Sequence, residues 1–191
     1  PELVKGVEEE AVRQGYSVIL ASSSYDPTRE RKAVELFTGR RVDGLIISPC
    51  EVGDITPTYD LIRAKNIPFV LTKEIPDVTA DVVMADDEQG ADDLVSHLVD
   101  NGRRRIAFIG SVNAPAASKE RLHGYQRALA RHGLPFRAEL IAECDHRDPE
   151  AVQQALNDVW SASRPDAVFA FSDMTAFIVR QAIQHLGLRI P

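Results

Sequence analysis

Arg121 is the residue whose type and position in this sequence most clearly suggest chemistry. It lies in a stretch that reads as a short buried strand over Arg105–Ile109, a loop of small residues and then a helix. Ser118 is predicted to be the N-cap of that helix, which places Arg121 in the first turn, where the positive end of the helix dipole disfavours a cation. We therefore expect the guanidinium to bind an oxygen-rich ligand or a neighbouring carboxylate.

A second interpretation of Arg121 needs no ligand. Most arginines are exposed surface residues, and a solvated Arg121 paired with Glu120 or Glu143 fits the same pattern. The pattern alone favours this second interpretation. The position of the loop argues for function, because open α/β sheets bind ligands at the carboxyl ends of their parallel strands.

Motifs typical of enzymes are absent from the sequence. It has no Gly-x-Ser-x-Gly turn, no Gly-x-x-x-x-Gly-Lys-Ser/Thr phosphate loop and no His/Cys/Asp cluster at metal-ligand spacing. The five histidines are scattered, and the polar run Asp145–Asp148, which contains His146, is interpreted as a solvated loop. We therefore predict that the protein is not an enzyme and uses no metal or other cofactor.

Length and charge restrict the function further. The chain has 191 residues and a net charge of −7 at pH 7. A chain this acidic is not expected to hold nucleic acid by itself, because that affinity comes mostly from basic residues on phosphates. No apolar run approaches the roughly 18 residues that a membrane span needs, and no signal peptide is visible. The two cysteines are expected to be free thiols in a reducing compartment.

Arg121 must be positioned by a regular alternation of helices and short apolar strands. A first helix is expected to bury an apolar face, and Asp-Pro or Asp-Asp pairs mark later helix starts at Asp26, Asp86 and Asp148. This alternation predicts an α/β fold with parallel sheets and right-handed crossovers. The predicted strands are Ser17–Ala21, the run that follows Gly44, Pro68–Leu71, Asp81–Met84, Arg105–Ile109, Leu140–Ala142 and Ala167–Phe171.

Several motifs, taken in their order and spacing, resemble the effector-binding domain of the lactose-repressor (LacI/GalR) family of bacterial transcription regulators. The resemblance covers essentially the whole chain, and no single motif carries it. The most characteristic motifs are Arg41-Val42-Asp43-Gly44-Leu45-Ile46-Ile47, Asp86-Asp87-Glu88-Gln89-Gly90-Ala91, Gly102-Arg103-Arg104-Arg105-Ile106-Ala107, Ser118-Lys119-Glu120-Arg121-Leu122-His123-Gly124-Tyr125, Pro165-Asp166-Ala167-Val168-Phe169, Ser172-Asp173 and Gly187-Leu188-Arg189-Ile190-Pro191.

The resemblance implies a periplasmic-binding-protein-like fold of type I. Two doubly wound parallel-sheet subdomains, expected at residues 1–85 and 86–191, would close around a small molecule. In the family, a helix-turn-helix head and a hinge helix precede this region, and further strands complete both subdomains. We therefore expect both ends of the fold to be incomplete here.

The resemblance also makes Arg121 the strongest ligand-binding candidate, with its guanidinium in the cleft near Asp173. Ser172 stands where the family usually has asparagine, and Lys73 stands where arginine is frequent. Competing structural roles are helix capping by Asp86 and Asp173, a turn at Ser48, a solvated Lys73 and core packing of Phe171. The expected ligand-binding residues are Arg121, Asp173, Ser172, Ser48, Ser118, Gln89, Asp86, Lys73 and Phe171.

Two functions fit these expectations. The first is the effector-sensing domain of a cytoplasmic LacI-type regulator. It would bind a sugar, a sugar phosphate or a purine, form a homodimer, avoid membranes and contact DNA only through the absent head. The second is a periplasmic sugar-binding protein of a transport system, which has the same fold. The Arg121-Leu122-x-Gly124-Tyr125 motif favours the regulator.

Overall fold

The computed structural model describes residues 2–188 and 190, and helices alternate with short strands along them. No helix in this part of the chain is long and apolar enough to cross a membrane. Arg189 and Pro191, which belong to the last motif of the family resemblance, lie outside the described residues. The elements are α1 (Glu2–Arg13), α2 (Pro27–Gly39), β1 (Leu45–Ile47), α3 (Thr56–Ala64), β2 (Phe69–Leu71), β3 (Asp81–Val82), α4 (Asp87–Asp100), β4 (Ile106–Ser111), α5 (Pro115–Arg131), a 3₁₀ turn (Ala138–Leu140), β5 (Ile141–Cys144), α6 (Pro149–Ser163), β6 (Ala167–Ala170) and α7 (Asp173–His185).

Packing divides the described residues into two compact units. The first runs to Leu71 and includes Asp77–Asp81. The second contains Thr72–Pro76 and the described residues from Val82 onward. The expected division of the ligand-binding fold into subdomains at residues 1–85 and 86–191 remains a prediction.

The sheet that contains β4 forms the centre of the second unit. Its strand order is β5-β4-β6, and both pairings are parallel, with Phe108 opposite Ile141 and Ile106 opposite Ala167. Every residue of β4 is buried. One face of the sheet packs against α6 and α7, and the other packs against α4 and α5. The predicted α/β architecture is confirmed, and it brings the ends of three strands together at one edge.

The first unit is built around β1 and β2, which pair in parallel with Leu45 opposite Phe69. β3 follows β2 in the order of that sheet. Asp26 caps α2 as predicted, since its carboxylate accepts hydrogen bonds from the backbone N–H groups of Thr28 and Arg29 at 2.8 and 3.2 Å. Glu30, in the first turn of α2, is buried and accepts a 2.7 Å hydrogen bond from the backbone N–H of Cys50. This bond fixes the segment after β1 against α2.

Two predictions for the start of the chain are wrong. The apolar run Ser17–Ala21 forms no strand and is exposed, with Leu20 at 68%. A single strand is not stable by itself, because its backbone N–H and C=O groups need a neighbouring strand as hydrogen-bond partner. No strand pairs with this run within the part of the chain that the structure describes. The apolar face predicted for α1 is likewise not buried, because none of the described residues of that helix is buried.

Helix starts are predicted correctly in two further places and wrongly in two others. Asp86 and Asp148 cap α4 and α6, accepting from the N–H groups of Gln89 at 2.8 Å and Glu150 at 2.9 Å. Ser118 is not an N-cap, because α5 begins at Pro115, where proline has the backbone angle that a first helical turn requires. Asp173 is not the N-cap of α7 either, because the preceding residue, Ser172, takes that position.

Candidate functional site

Close packing of α4 and α5 brings Arg121 next to the start of α4. Gly124 makes this approach possible: a Cβ at that position would overlap the backbone oxygen of Glu88 and lie 2.8 Å from the Cβ of Ala91. Only a glycine fits such a contact without displacing a helix. One turn before Gly124, Arg121 therefore lies beside the first turn of α4.

Asp92 holds the same two helices together further along. Its side chain is 1% exposed and accepts hydrogen bonds from Arg127 Nε at 2.5 Å and from Arg131. Burial alone would raise the pKa of Asp92, but hydrogen bonds from Arg127 and Ser96 and the positive charge of Arg131 bring that pKa below its ordinary value. The carboxylate therefore stays charged and acts as a fixed clamp between α4 and α5.

Gln89 belongs to this clamp as well. Its Oε1 accepts a 2.9 Å hydrogen bond from Arg127 Nη2, and its Nε2 donates to Asp93 at 2.7 Å. Asp86, the N-cap of α4, is exposed and holds the backbone of Gln89. Both side chains thus have defined partners within the protein, and their contact with a ligand remains a prediction.

Arg121 is positioned by three contacts within the second unit. Its Nε and Nη2 donate to Asp87 Oδ1 at 3.2 and 3.0 Å, and its Nη1 donates to the backbone oxygen of Phe171. Its side chain is 25% exposed, and it forms an ion pair with Asp87, a partner that the sequence interpretation did not propose. Because α5 starts at Pro115, Arg121 is in the second helical turn, so the expected conflict with the helix dipole does not arise.

The guanidinium of Arg121 keeps the capacity to bind a ligand. An arginine carries five N–H donors in one plane, and three of them are used in the contacts just described. Its remaining donors and its partial exposure suit a hydroxyl or an anionic oxygen. Asp87 was not among the residues expected at the site, although its place in the first turn of α4 is visible in the sequence.

Phe171 is a core residue that also supports the guanidinium of Arg121. It directly follows β6, is 8% exposed and packs with Ala114 and Ala117 at the start of α5. The Cζ atom of Arg121 lies 4.5 Å from the centre of the phenyl ring, within the range of a cation–π contact. The backbone and the ring of Phe171 therefore hold the same guanidinium.

A chain of hydrogen bonds through the buried residue Ser118 lies at the ends of β4 and β5. Ser118 is fully buried; its hydroxyl accepts from the backbone N–H of Ser111 at 3.0 Å and donates to Glu143 Oε1 at 2.8 Å. Gly110 allows this approach, since a Cβ there would lie 2.5 Å from the Ser118 hydroxyl. Ser118 thus positions the strand ends, and its direct contact with a ligand remains a prediction.

His146 is the residue at this edge that the sequence interpretation missed. The loop that contains it was expected to be solvated, yet His146 is only 6% exposed. Its Nδ1 lies 2.6 Å from the hydroxyl of Ser111, and its ring centre lies 4.9 Å from that of Phe171. One signal was available: His146 closely follows β5, so it had to lie at the strand-end edge that carries Ser111 and Phe171.

The other expected site residues are distributed over both units. Ser172 and Asp173 follow Phe171; the Ser172 hydroxyl accepts from the N–H of Thr175 at 3.2 Å, and Asp173 is exposed at the start of α7. Ser48 is exposed directly after β1, in the first unit. Lys73 is half-buried shortly after β2. The structure therefore brings together Arg121, Phe171 and the residues that directly follow Phe171.

A shallow groove of about 560 Å³ lies elsewhere, along β5 and α6. Its lining includes apolar residues such as Ile141 and Val159, and it shares Glu143 with the hydrogen-bond chain of Ser118. Arg121 and Phe171 do not line it. The groove therefore lacks the arginine and the aromatic ring that mark the strand-end site.

Comparison with known proteins identifies close relatives of the whole chain. A family model described as periplasmic binding proteins and sugar-binding domain of the LacI family matches residues 1–191. Catabolite control protein A of Priestia megaterium is 31% identical over 198 residues, and the HTH-type transcriptional repressor PurR of Vibrio campbellii (strain ATCC BAA-1116) is 31% identical over 193 residues. Both alignments cover all of this chain but 57% of the relative, so the chain spans little more than half their length.

A solved structure supports the same relationship. The crystal structure of a putative ribose operon repressor from Burkholderia thailandensis superposes with a TM-score of 0.82 and is 35% identical in sequence. The similarity covers 99% of this chain and 70% of that protein chain. A superposition of this extent at this identity establishes a shared fold over nearly all of the present chain.

Proposed function

This chain belongs to the family of periplasmic binding proteins and LacI-type sugar-binding domains, and we propose that it is the effector-sensing domain of a bacterial transcription regulator. The arrangement of Arg121 carries the proposal: the guanidinium is fixed by Asp87 and Phe171 at the carboxyl ends of parallel strands and retains further donors. Sheets of this kind bind ligands at that edge. Two of the proteins compared above, the transcriptional repressor PurR and the ribose operon repressor, are repressors by name, which favours this function over a transport protein.

The proposed effector is a small sugar. Hydroxyl groups match the free N–H donors of Arg121 and the exposed carboxylate of Asp173. The ring of Phe171 is 8% exposed and would act by supporting the guanidinium of Arg121. The similarity to a ribose operon repressor supports a sugar over a purine, and a sugar phosphate also fits an arginine-containing site.

In this proposal, the effector regulates the protein by binding one of its two conformations more tightly than the other. An effector changes the equilibrium between two conformations only if it makes different contacts in each. Arg121 would supply such a contact, while DNA would be bound by a helix-turn-helix head outside this chain. The protein would act as a cytoplasmic homodimer and would have no catalytic role. Ser48, Ser118, Gln89, Asp86 and Lys73 remain proposed members of the wider site.

Thermal denaturation with a defined panel of compounds tests the proposal. The panel contains D-ribose, D-glucose 6-phosphate and hypoxanthine, one for each proposed effector class. A compound present at about 100 times its Kd adds about 2.7 kcal/mol to the free energy of unfolding, which raises the Tm of a domain this size by about 5–10 °C. A shift with D-ribose supports a sugar sensor. No shift with any of these compounds, even at millimolar concentration, would argue against the proposed effector classes.

The gene provides an independent distinction between the two functions. A coding sequence for a helix-turn-helix segment upstream of Pro1 supports the regulator. A signal peptide at the start of the gene supports the periplasmic sugar-binding protein instead.

A further inference from the structure

Arginine residues gather at the edge of the sheet opposite the one that carries Arg121. The strands β5, β4 and β6 are parallel, so their amino ends lie together, and Ile106 at the start of β4 is opposite Ala167 at the start of β6. The residues that precede these three strands include five arginines. They are Arg103, Arg104 and Arg105 before β4, Arg137 before the 3₁₀ turn that leads into β5, and Arg164 before β6. We call this surface the arginine edge.

One carboxylate fixes the backbone of the arginine edge. Asp166 accepts hydrogen bonds from the backbone N–H groups of Arg104 at 2.9 Å and Arg105 at 3.0 Å, and its own N–H donates to the carbonyl oxygen of Arg105 at 2.9 Å. Both carboxylate oxygens of Asp166 thus accept from the backbone. The guanidinium of Arg104 also donates to the backbone oxygen of Val99 at 2.7 Å. The start of β4 is therefore a fixed frame for the exposed side chains of Arg104 and Arg105.

Positive charge exceeds negative charge on the arginine edge, although the whole chain has a net charge of −7. Glu139 lies 4.0 Å from Arg137, and Asp100, at the end of α4, lies 4.0 Å from His132. Asp166 is engaged by the backbone, as described above. Three guanidiniums form no ion pair with a carboxylate among the described residues: those of Arg103, Arg105 and Arg164. The arginine edge can therefore accept further anionic groups.

Two aromatic rings flank these arginines. Phe136 is 47% exposed, and its ring centre lies 6.4 Å from that of Tyr125, whose hydroxyl donates to the backbone oxygen of Ile106. Trp160 is half-buried, and the Cζ atom of Arg164 lies 5.2 Å from the centre of its ring. The arginine edge contains no lysine. Arginine and aromatic side chains are enriched in interfaces between proteins, whereas lysine is depleted there.

We propose that the arginine edge is a docking surface for an acidic segment of another protein. Aspartate or glutamate side chains of that segment bind the guanidiniums, since an arginine can donate two parallel hydrogen bonds to one carboxylate. An apolar side chain of the same segment packs on the exposed ring of Phe136. A nucleic acid fits less well, because its affinity depends on many phosphate contacts, which the net charge of −7 opposes.

This docking surface is separate from the site of Arg121. The strand β4 has 6 residues at about 3.3 Å each, so the two edges of the sheet are about 20 Å apart. A small effector at one edge and a protein segment at the other can therefore bind at the same time. The inference does not rest on the proposed effector.

Fluorescence anisotropy with the full-length protein tests the docking surface. The probe is a short labelled peptide in which glutamates surround one leucine, and a matched peptide has glutamine in place of glutamate. We expect the glutamate peptide to bind about tenfold more tightly than the glutamine peptide. Added salt should weaken its binding, because it screens charges that are exposed to solvent.

Substitutions then locate the binding surface. The triple variant Arg105→Gln, Arg137→Gln, Arg164→Gln removes one cation next to each strand and should bind the glutamate peptide about tenfold more weakly. Phe136→Ser should also weaken binding, by about threefold or more. The control triple variant removes the same charge from exposed helix positions of the first unit and should bind like wild type. Its changes are Arg13→Gln, Arg31→Gln and Arg63→Gln. Circular dichroism should show that every variant is folded.

Four results would overturn the inference. Equal weakening by the two triple variants would show that only net charge matters, and unchanged binding by Phe136→Ser would remove the apolar contact. Tighter binding of a labelled oligothymidylate than of the peptide, lost in the first triple variant, would make the partner a nucleic acid. Self-association of the wild type that this variant abolishes, measured by sedimentation, would make the partner a second copy of the chain. A panel in which no effector binds would contradict the proposed function and leave the inference intact.

Discussion

Arg121 and Asp87 connect two helices of the second unit, because Nε and Nη2 of the arginine donate to one carboxylate oxygen at 3.2 and 3.0 Å. The pair is largely shielded, with side-chain exposures of 25% for Arg121 and 18% for Asp87. An arginine held in this way loses little further conformational freedom when a ligand binds. The contact therefore links the two helices and also holds the remaining N–H donors of the guanidinium in position for a ligand.

The packing that creates this pair can be tested with two glycines. Gly124→Ala should destabilise the protein by about 1–3 kcal/mol, because the added methyl group overlaps the backbone of α4 and forces the helices apart. Gly90→Ala is the matched control: this glycine is also helical and has open space around it. Alanine there should be neutral or stabilising by up to about 1 kcal/mol. Urea denaturation gives both values, and an equal effect of the two substitutions would contradict the packing described here.

Much of the helical structure follows from local sequence signals. In α6, Val152, Ala155, Leu156 and Val159 recur at helical spacing, and all four are buried as their spacing indicates. Asp148 before a proline likewise specifies the start of that helix. Such features depend on residues within one or two turns, so a single sequence contains the necessary information.

The predictions from sequence fail where a structural feature depends on distant residues or where two local signals compete. Ser17–Ala21 has the apolar composition of a strand, but strand formation requires a partner elsewhere in the chain. Arg121 and Asp87 are 34 positions apart, and Ser111 and His146 are 35 apart. No spacing rule predicts such pairs. The start of α5 is different, because Pro115 was a local signal that favoured an earlier start than Ser118.

Glu30 should make the stability of the first unit depend on pH. Burial raises the pKa of this carboxyl above its ordinary value of 4.5, although hydrogen bonds from Cys50 and Tyr59 oppose the shift. The folded protein therefore binds the proton more tightly than the unfolded chain. This contribution to stability is complete below pH 4.5 and is lost as the pH rises through the raised pKa.

Glu30→Gln should remove that loss, so the variant should gain stability relative to the wild type as the pH rises. Glu35→Gln, on the same helix with a half-exposed carboxylate, is the control and should follow the wild type. Urea denaturation between about pH 4.5 and 8 covers the interval, given the ordinary pKa of a glutamate. A constant difference between Glu30→Gln and wild type at every pH would show that Glu30 does not titrate in this range.

Self-association is expected to involve α7. Met174 and Phe177 lie one turn apart on this helix and are 62% and 54% exposed. Neighbouring large apolar side chains on a surface often mark an interface between proteins. Phe177→Asp should weaken dimerisation at least tenfold, measured by sedimentation equilibrium, because it would place a charge in an apolar contact.

Leu94→Asp provides the comparison for that experiment. Leu94 is 43% exposed on α4, and a change there should leave the dimer intact. A wild-type protein that stays monomeric at high concentration, or equal weakening by both substitutions, would contradict a role for α7.

Calorimetric titration of wild type and Arg121→Ala with the panel compound that binds is the most direct test of the effector site. Loss of a charge-assisted hydrogen bond costs about 1.5–3 kcal/mol, so the variant should bind about tenfold to more than a hundredfold more weakly. Arg63→Ala removes an exposed arginine from α3 and should bind like wild type. Circular dichroism should show that both variants remain folded. If Arg121→Ala binds the compound as tightly as wild type does, Arg121 is only a bridge between α4 and α5, and the proposed effector contact is wrong.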